Sequence, residues 1–107
     1  MYYFTFNLSL TVNISGDSYS STGFDYRQGE PSPEKPMGNP TFPGKTSCNG
    51  TNWVGYLTTQ YNDSVVQTYD LAVGGASLEH RILKSFLVSV TDQVYTIFMP
   101  HYGRGFL

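Results

Sequence analysis

Hydrophobic and polar residues alternate strictly near the start of the chain. Every second position from residue 4 to residue 14 is apolar: Phe4, Phe6, Leu8, Leu10, Val12 and Ile14. A period of two that uses aromatic and β-branched side chains is typical of a β-strand. Because the other face of this strand would be polar throughout, the pattern favours an edge or antiparallel strand. The strand is predicted to end at Gly16-Asp17-Ser18, whose residue types favour a turn.

Residues 23–50 include the segment GEPSPEKPMGNPTFPGK, which is rich in proline and glycine. Proline lacks a backbone N–H and restricts the residue before it, so these residues are predicted to form a long loop rather than a helix. A loop of this length in a compact domain is usually either functional or disordered. Phe24, Tyr26 and Phe42 favour a functional loop, because disordered segments contain few aromatic residues.

The second half of the chain predicts two helices and a second strand. Asn52 can cap a short helix, and Val65–Ala72 has the composition of a strand that leads into a turn at Gly74-Gly75. Apolar residues then recur every four positions, which predicts a long helix from about Leu78 to Met99 that Pro100 ends. The order βαβα predicts a parallel sheet covered by helices. Two strands cannot complete such a sheet, so we expect the chain to be part of a larger domain.

Composition and charge restrict the classes of function. A chain of 107 residues forms one domain at most. Only 13% of its residues are charged and its six Lys and Arg residues are scattered, so we expect no nucleic-acid partner, which would need a clustered basic face. No apolar run reaches roughly 18 residues, so no membrane segment is predicted. The single Cys48 excludes an internal disulfide, and no paired ligand spacing predicts a metal site.

Four N-x-S/T triplets begin at Asn7, Asn13, Asn49 and Asn62. Such triplets are the acceptor sequence for N-glycosylation, so they favour a secreted glycoprotein. The alternative is that a chain rich in Ser and Thr contains them by chance. The N-terminal MYYFTF has no basic region before its apolar residues, so no signal peptide is visible.

The segment GDSYSSTGFD offers the clearest candidate chemistry. A serine on a tight turn after a strand is exposed to substrate, and backbone N–H groups of the turn can stabilise an oxyanion. Gly16 permits the turn, and the Asp17 side chain can fix it through local hydrogen bonds. On the tripeptide alone, an ordinary turn is the favoured interpretation, so it does not by itself establish a nucleophile.

Several ordered segments resemble the GDSL (SGNH) hydrolase superfamily, and within it the fungal acetyl esterases of carbohydrate esterase family sixteen. The matching segments are YYFTF, GDSYSSTGFDY, GNPTFPGKTSCNGTNWVGYL, VQTYDLAVGGASL and SVTDQVYTIFMPHYG. The resemblance implies an α/β fold, a flavodoxin-like three-layer sandwich of the SGNH hydrolase type. Residues 1–107 would be only the N-terminal portion of that domain.

The resemblance also implies roles for individual residues. Ser18 matches the nucleophile, and its own N–H would be one oxyanion donor. Gly75 matches the glycine whose N–H is the next donor. Trp53 matches an aromatic residue beside the cleft, where it would line the substrate site or pack structurally. The implied mechanism is a serine acyl-enzyme without metal or cofactor.

The sequence departs from the family pattern in three places. Residues 7–15, NLSLTVNIS, intervene between YYFTF and the serine turn and look like an insert. Asp70 stands where the family usually has Asn, which removes an amide donor. The segments G-x-N-D and D-x-x-H, which would supply the third oxyanion donor and the base, do not occur, and neither His80 nor His101 lies in a D-x-x-H context.

The expected function is therefore that of a GDSL-type serine ester hydrolase. Its substrate would be an acetylated plant cell-wall carbohydrate or another small ester, and this chain alone is expected to be inactive. Two alternatives remain open at this point. The chain could be a non-catalytic carbohydrate-binding module that uses Trp53 and its tyrosines, or a truncated product without function.

Overall fold

The computed structural model describes residues 10–60, 65–81 and 88–102, which form a small mixed α/β fold. Two strands and a series of helices follow one another along the chain. They are β1 (Leu10–Ile14), α1 (Trp53–Thr59), β2 (Val66–Asp70), α2 (Val90–Asp92), a π-helix (Gln93–Phe98) and α3 (Met99–Tyr102). The last three run on from one another as one helical segment, residues 90–102. No helix within the described ranges is long and apolar enough to cross a membrane.

The two strands pair in parallel, in a register that runs from Leu10 opposite Val66 to Ile14 opposite Asp70. The pairing extends past the strand ends, because the N–H of Val73 donates to the carbonyl of Gly16 at 3.2 Å. The parallel sheet predicted from the βαβα order is confirmed. The alternating pattern favoured an edge or antiparallel strand; β1 is not antiparallel, but within the described residues it is an edge strand. The helix between the strands returns the chain to the same end of the sheet, which makes the second strand parallel.

Strand β1 lies inside the segment 7–15 that looks like an insert in the sequence. Residues 10–14 form the strand, and the chain then continues directly into Gly16-Asp17-Ser18. These residues therefore occupy the position of the strand that precedes the serine turn. The predicted strand also included Phe4–Phe6, which lie outside the described residues.

Helix α1 begins as predicted at Asn52, whose side chain accepts hydrogen bonds from the N–H groups of Val54 and Gly55. The buried residues of α1 face β2, where the hydroxyls of Thr58 and Thr68 are 2.6 Å apart. Thr68 shares its face of the strand with the buried Val66 and Asp70, because side chains alternate along a strand. Helix α1 therefore covers this face of the sheet.

The opposite face of β2 carries Tyr69, which packs against the long loop and the C-terminal helical segment. Its ring contacts Phe24 edge-on at 6.2 Å and Tyr102 at 4.4 Å between centroids. Tyr26 of the same loop lies 4.7 Å from the ring of His101. The loop aromatics thus join the helical segment to the sheet.

The prediction of one helix from Leu78 to Met99 is wrong. Residues 78–81 form turns, Leu78 is 68% exposed, and helical geometry begins only after Ser89. Ser89 and Asp92 form a reciprocal capping box, and the N–H of Thr91 donates to the carbonyl of Leu78. The segment before the helix therefore caps its N-terminus instead of extending it. The part of the predicted helix at residues 82–87 lies outside the described residues.

Pro100 does not end the helix, as the sequence pattern had predicted, but lies inside α3. The preceding turns form a π-helix, in which the N–H of Met99 donates to the carbonyl of Val94, five residues earlier. Proline breaks an α-helix because its ring clashes with a carbonyl one turn back and its N–H is missing. The wider π-helical turn changes the position of that carbonyl, so the helix can accommodate Pro100.

The proline-rich loop folds back over the sheet rather than remaining disordered. A backbone hydrogen bond from Lys45 to Thr22 joins its two ends, and one from Thr68 to Pro36 fixes its middle to β2, both 2.8 Å long. Inside the loop, the Asn39 side chain bonds the N–H and the carbonyl of Asp25. Tertiary hydrogen bonds therefore organise a segment that contains no regular secondary structure.

We expect Gly44→Ala to destabilise the fold by about 2 kcal/mol or more, and Gly50→Ala to leave it unchanged or slightly more stable. Gly44 has a φ of 83°, and a Cβ there would lie 2.5 Å from the carbonyl oxygen of Thr22. A Cβ at Gly50 meets no atom within 4 Å. Urea unfolding of both variants measures the difference, and equal midpoints would contradict the tight contact at Gly44.

Candidate functional site

The candidate nucleophile lies on a tight turn directly after β1. The carbonyl of Asp17 accepts hydrogen bonds from the N–H groups of Ser20 and Ser21, and its carboxylate accepts one from Tyr19. Asp17 therefore fixes the turn locally, as its residue type predicted. Ser18 is partly exposed, and neither its hydroxyl nor its N–H has a hydrogen-bond partner among the described residues. Both groups can face a ligand.

The start of this turn is held from a distance by Gln93. The side-chain amide of Gln93 donates to the carbonyl of Gly16 and accepts from its N–H, each at 2.8 Å. Gln93 is completely buried, so these two bonds satisfy its amide in a place without solvent. The Gly16 carbonyl accepts a second bond from Val73. The backbone N–H and carbonyl of one residue therefore connect β1, the segment after β2 and the helical segment.

Sequence reasoning missed Gln93, although it identified the helix that carries it. The predicted helix was recognised from its apolar stripe, and a polar residue beside such a stripe is usually assigned to the surface. The capping signal Ser89-x-x-Asp92 was present and would have placed the helix start correctly. No local pattern indicates that the Gln93 amide meets a residue 77 positions earlier.

Helix α1 supports the other end of the turn. The Asn52 side chain donates to the carbonyls of Ser20 and Ser21 at 3.2 and 3.1 Å while it also caps the helix. The indole N–H of Trp53 donates to the hydroxyl of Ser20 at 3.2 Å, and Trp53 is 50% exposed. The core-packing alternative for Trp53 is therefore wrong. Its ring lies beside the serine turn with about half of its surface open to solvent.

The glycine turn after β2 lies against the serine turn. The N–H of Ala76 donates to the carbonyl of Val73, and Gly75 has a φ of 78°, which glycine adopts readily. A Cβ built on Gly74 would lie 3.7 Å from the Cβ of Ser18. The two parallel strands thus bring the serine turn and the glycine turn to the same edge of the sheet, with Gly74, the neighbour of the predicted oxyanion donor Gly75, against Ser18.

Asp70 is the last residue of β2, four residues before Gly74 of the glycine turn, and it is completely buried. Its carboxylate accepts hydrogen bonds from the hydroxyl of Thr22 at 2.9 Å and from the N–H of Ala72 at 3.2 Å. Burial raises the pKa of Asp70 to about 6, and the hydrogen bonds from Thr22 and Ala72 only partly oppose this effect. The residue therefore holds the loop against the strand at the cost of burying a carboxylate.

Neither histidine of the chain bonds to Ser18. His80 lies 3.0 Å from the carboxylate of Asp92, which also takes part in the capping box of the helical segment. Hydrogen bonds from Ser89 are the main reason that the pKa of Asp92 is lowered, and His80 adds to them. His101 contacts the carbonyl of Ile97 and the ring of Tyr26. The two rings are thus engaged in holding the helical segment.

An open cavity of about 340 Å³ lies beside the glycine turn. Gly74 and Ala72 line it on one side, and Phe24, Tyr26 and Ile97 line it on the other. A larger cavity, of about 540 Å³, lies between the proline-rich loop and the end of α1, and none of the predicted site residues lines it. No group of three side chains suited to hold a metal ion occurs within the described ranges.

The chain is similar to a curated acetylesterase of Thermothelomyces thermophilus, with 44% identity over 82 residues. The matched region covers 74% of this chain and 27% of the relative, so the chain spans about a quarter of the length of that protein. No protein-family model and no solved structure matches the chain. The similarity supports an acetylesterase-like relationship.

We expect Gln93→Ala to destabilise the protein by about 2–3 kcal/mol, because the buried N–H of Gly16 loses its partner and a cavity remains. Tyr95→Ala, two residues along the same helix, is the matched control, since Tyr95 is 70% exposed. Thermal unfolding followed by circular dichroism measures both. A Gln93→Ala variant as stable as the control would show that the Gly16 contact contributes little.

We expect Asp70→Asn to stabilise the protein above pH 6 and to have little effect near pH 4. The folded-state pKa of Asp70, about 6, lies above its ordinary value of 3.8, so ionisation in the unfolded chain lowers stability as pH rises from about 4 to 6. This difference in pKa corresponds to roughly 3 kcal/mol at pH 7.5. Urea unfolding of wild type and variant at pH 4.5, 6 and 7.5 measures it. A stability difference that does not change with pH would contradict the buried carboxylate.

Proposed function

We propose that the chain is the N-terminal part of a serine ester hydrolase of the GDSL (SGNH) superfamily that releases acetyl groups from plant cell-wall carbohydrate. One observation carries the proposal: Ser18 stands on the turn after β1, against the glycine turn that follows the parallel β2. The similarity to an acetylesterase supports the reaction type. A flavodoxin-like three-layer sandwich is the proposed complete fold. Helix α1 on one face of β2 and Tyr102 on the other agree with it.

In the proposed reaction, the hydroxyl of Ser18 attacks the carbonyl carbon of an acetyl ester. The carbonyl oxygen becomes negatively charged, and the N–H groups of Ser18 and Gly75 stabilise it. The sugar alcohol leaves with a proton, and water then releases acetate from the acyl-enzyme. This chemistry uses no metal and no cofactor. Gln93 and Asn52 contribute by fixing both ends of the turn, which keeps the hydroxyl in position before substrate binds.

The proposed base lies in the part of the relative that this chain does not match. A serine hydroxyl is a weak nucleophile until a positioned base removes its proton. The sequence contains no D-x-x-H and no G-x-N-D, and the match covers only 27% of the acetylesterase. We therefore assign the base and the third oxyanion donor to the part of the protein outside the match. The chain alone would hold an oriented serine without the group that activates it.

The exposed aromatic residues around the turn support a sugar substrate. Tyr19, next to Ser18, is 83% exposed, and Trp53 is half exposed while it donates to Ser20. Flat aromatic rings beside a cleft provide apolar surface together with a polar group, which suits a ring that carries hydroxyls. The same surface favours the second candidate function, a carbohydrate-binding module. A secretory location would agree with either function.

We expect the isolated chain to hydrolyse a chromogenic acetate at the background rate, and Ser18→Ala not to change that rate. A fusion of this chain to the unmatched C-terminal part of the acetylesterase relative should hydrolyse the same ester, and Ser18→Ala should reduce its kcat by about 10³-fold or more. Ser21→Ala is the matched control, because its hydroxyl makes no hydrogen bond within the described part of the chain.

A fusion that keeps its rate after Ser18→Ala would overturn the proposed nucleophile. A Ser18-dependent rate in the isolated chain would show that a base lies within these 107 residues, with the pair His80 and Asp92 as the first residues to test. Binding of a cell-wall oligosaccharide by the chain, lost in Trp53→Ala and unchanged in Ser18→Ala, together with an inactive fusion, would favour the binding module.

A further inference from the structure

Two of the four N-x-S/T triplets lie within the residues that the structure describes. Asn13-Ile14-Ser15 runs out of β1, and Asn49-Gly50-Thr51 precedes helix α1. The triplets at Asn7 and Asn62 begin outside the described residues. The sequence alone makes all four equivalent, but the two described triplets have opposite surroundings.

The triplet at Asn13 is part of the sheet. Asn13 is paired with Tyr69, and Ile14 is paired with Asp70 in the parallel register. The side-chain oxygens of Asn13 and Ser15 are both buried, and within the described part of the chain neither has a hydrogen-bond partner. A transferase must reach both the amide of Asn13 and the hydroxyl of Ser15, and the sheet buries an oxygen of each side chain. The triplet is therefore not presented to a transferase once the sheet has formed.

The triplet at Asn49 lies at the tip of a small closed loop. Thr46 closes the loop, because its hydroxyl bonds both the carbonyl and the N–H of Gly50. Asn49 is exposed, and its φ of 57° projects it from this turn in a conformation that asparagine tolerates better than most residues. A Cβ on Gly50 would meet no atom within 4 Å, so the space beside the triplet is open. The hydroxyl of Thr51 makes no hydrogen bond to the described residues.

We propose that Asn49 is an N-glycosylation site of this protein and that Asn13 is not glycosylated in the folded chain. The co-reactant is an oligosaccharide linked to a lipid pyrophosphate. The side-chain nitrogen of Asn49 bonds to the anomeric carbon of the sugar, the bond from that carbon to the pyrophosphate oxygen breaks, and the amide proton passes to a base of the transferase. The lipid pyrophosphate leaves with the electron pair. The proposal does not depend on the esterase activity.

The test is expression of the full 107-residue chain with a secretion signal in yeast, with Asn7→Gln and Asn62→Gln in every variant. Only Asn13 and Asn49 can then be modified. Asn49→Gln and Thr51→Ala remove one triplet, Asn13→Gln and Ser15→Ala remove the other, and Thr51→Ser is the matched control that keeps its triplet. Intact masses of secreted protein before and after endoglycosidase treatment count the glycans. Peptide mapping after deglycosylation in H₂¹⁸O locates them.

We expect one glycan per secreted chain, retained in the Asn13→Gln, Ser15→Ala and Thr51→Ser variants and lost in Asn49→Gln and Thr51→Ala. Secreted protein without a glycan, or with a glycan on Asn13, would overturn the proposal. Where a variant is not secreted, the same mapping is made on its soluble fraction released from microsomes. In that fraction, an ¹⁸O label on Asn13 of protein that resists protease around residue 13 would overturn the proposal. An ¹⁸O label on Asn49 alone would support the proposal.

Discussion

The backbone of Gly16 is the point on which the described structure depends. Its N–H donates to Gln93, and its carbonyl accepts from both Gln93 and Val73. These three bonds join β1, the segment after β2 and the C-terminal helical segment within one residue. Because the next two residues are Asp17 and Ser18, the same bonds determine where the serine turn leaves the sheet. A loss of this contact would release the turn as well as the helix.

The stability of this arrangement is opposed by the buried carboxylate of Asp70. The residue is hydrogen-bonded to Thr22, whose backbone also accepts from Lys45 and leaves no room for a side chain at Gly44. The proline-rich loop, the strand and the serine turn therefore share one buried polar cluster. An amide at position 70 could fill the same space without the cost of ionisation. The aspartate at position 70 is thus an energetic cost to the fold.

Much of the local structure was predictable because its signals are local. Asn52 capped a helix, Gly16-Asp17-Ser18 made a turn, and both strands formed where the structure describes them. Burial alternates along β2 but not along β1, where Leu10 is 55% exposed and Val12, Asn13 and Ile14 are all half-buried. The parallel direction of the two strands was predicted by the order of the elements and not by the alternation of apolar and polar residues in β1. The predicted start of the last helix was wrong because the prediction relied on a four-residue apolar repeat and not on the capping signal at Ser89. The residues that fix the serine turn through long-range contacts, above all Gln93, could not be recognised from sequence spacing.

The π-helix explains how one helical segment can reach the sheet at both of its ends. Gln93 contacts Gly16 after β1, and Tyr102 packs on Tyr69 of β2, nine positions later in the chain. At about 100° per residue, nine positions of a regular α-helix would turn these two side chains to nearly opposite sides. A π-helical turn takes up about one additional residue, which brings their angular separation back to less than a right angle. The helical phase of the segment is therefore set by this turn. A single-residue deletion within Gln93–Phe98 could convert the segment to a regular α-helix in which both contacts are kept, because eight positions at about 100° give the same angular separation.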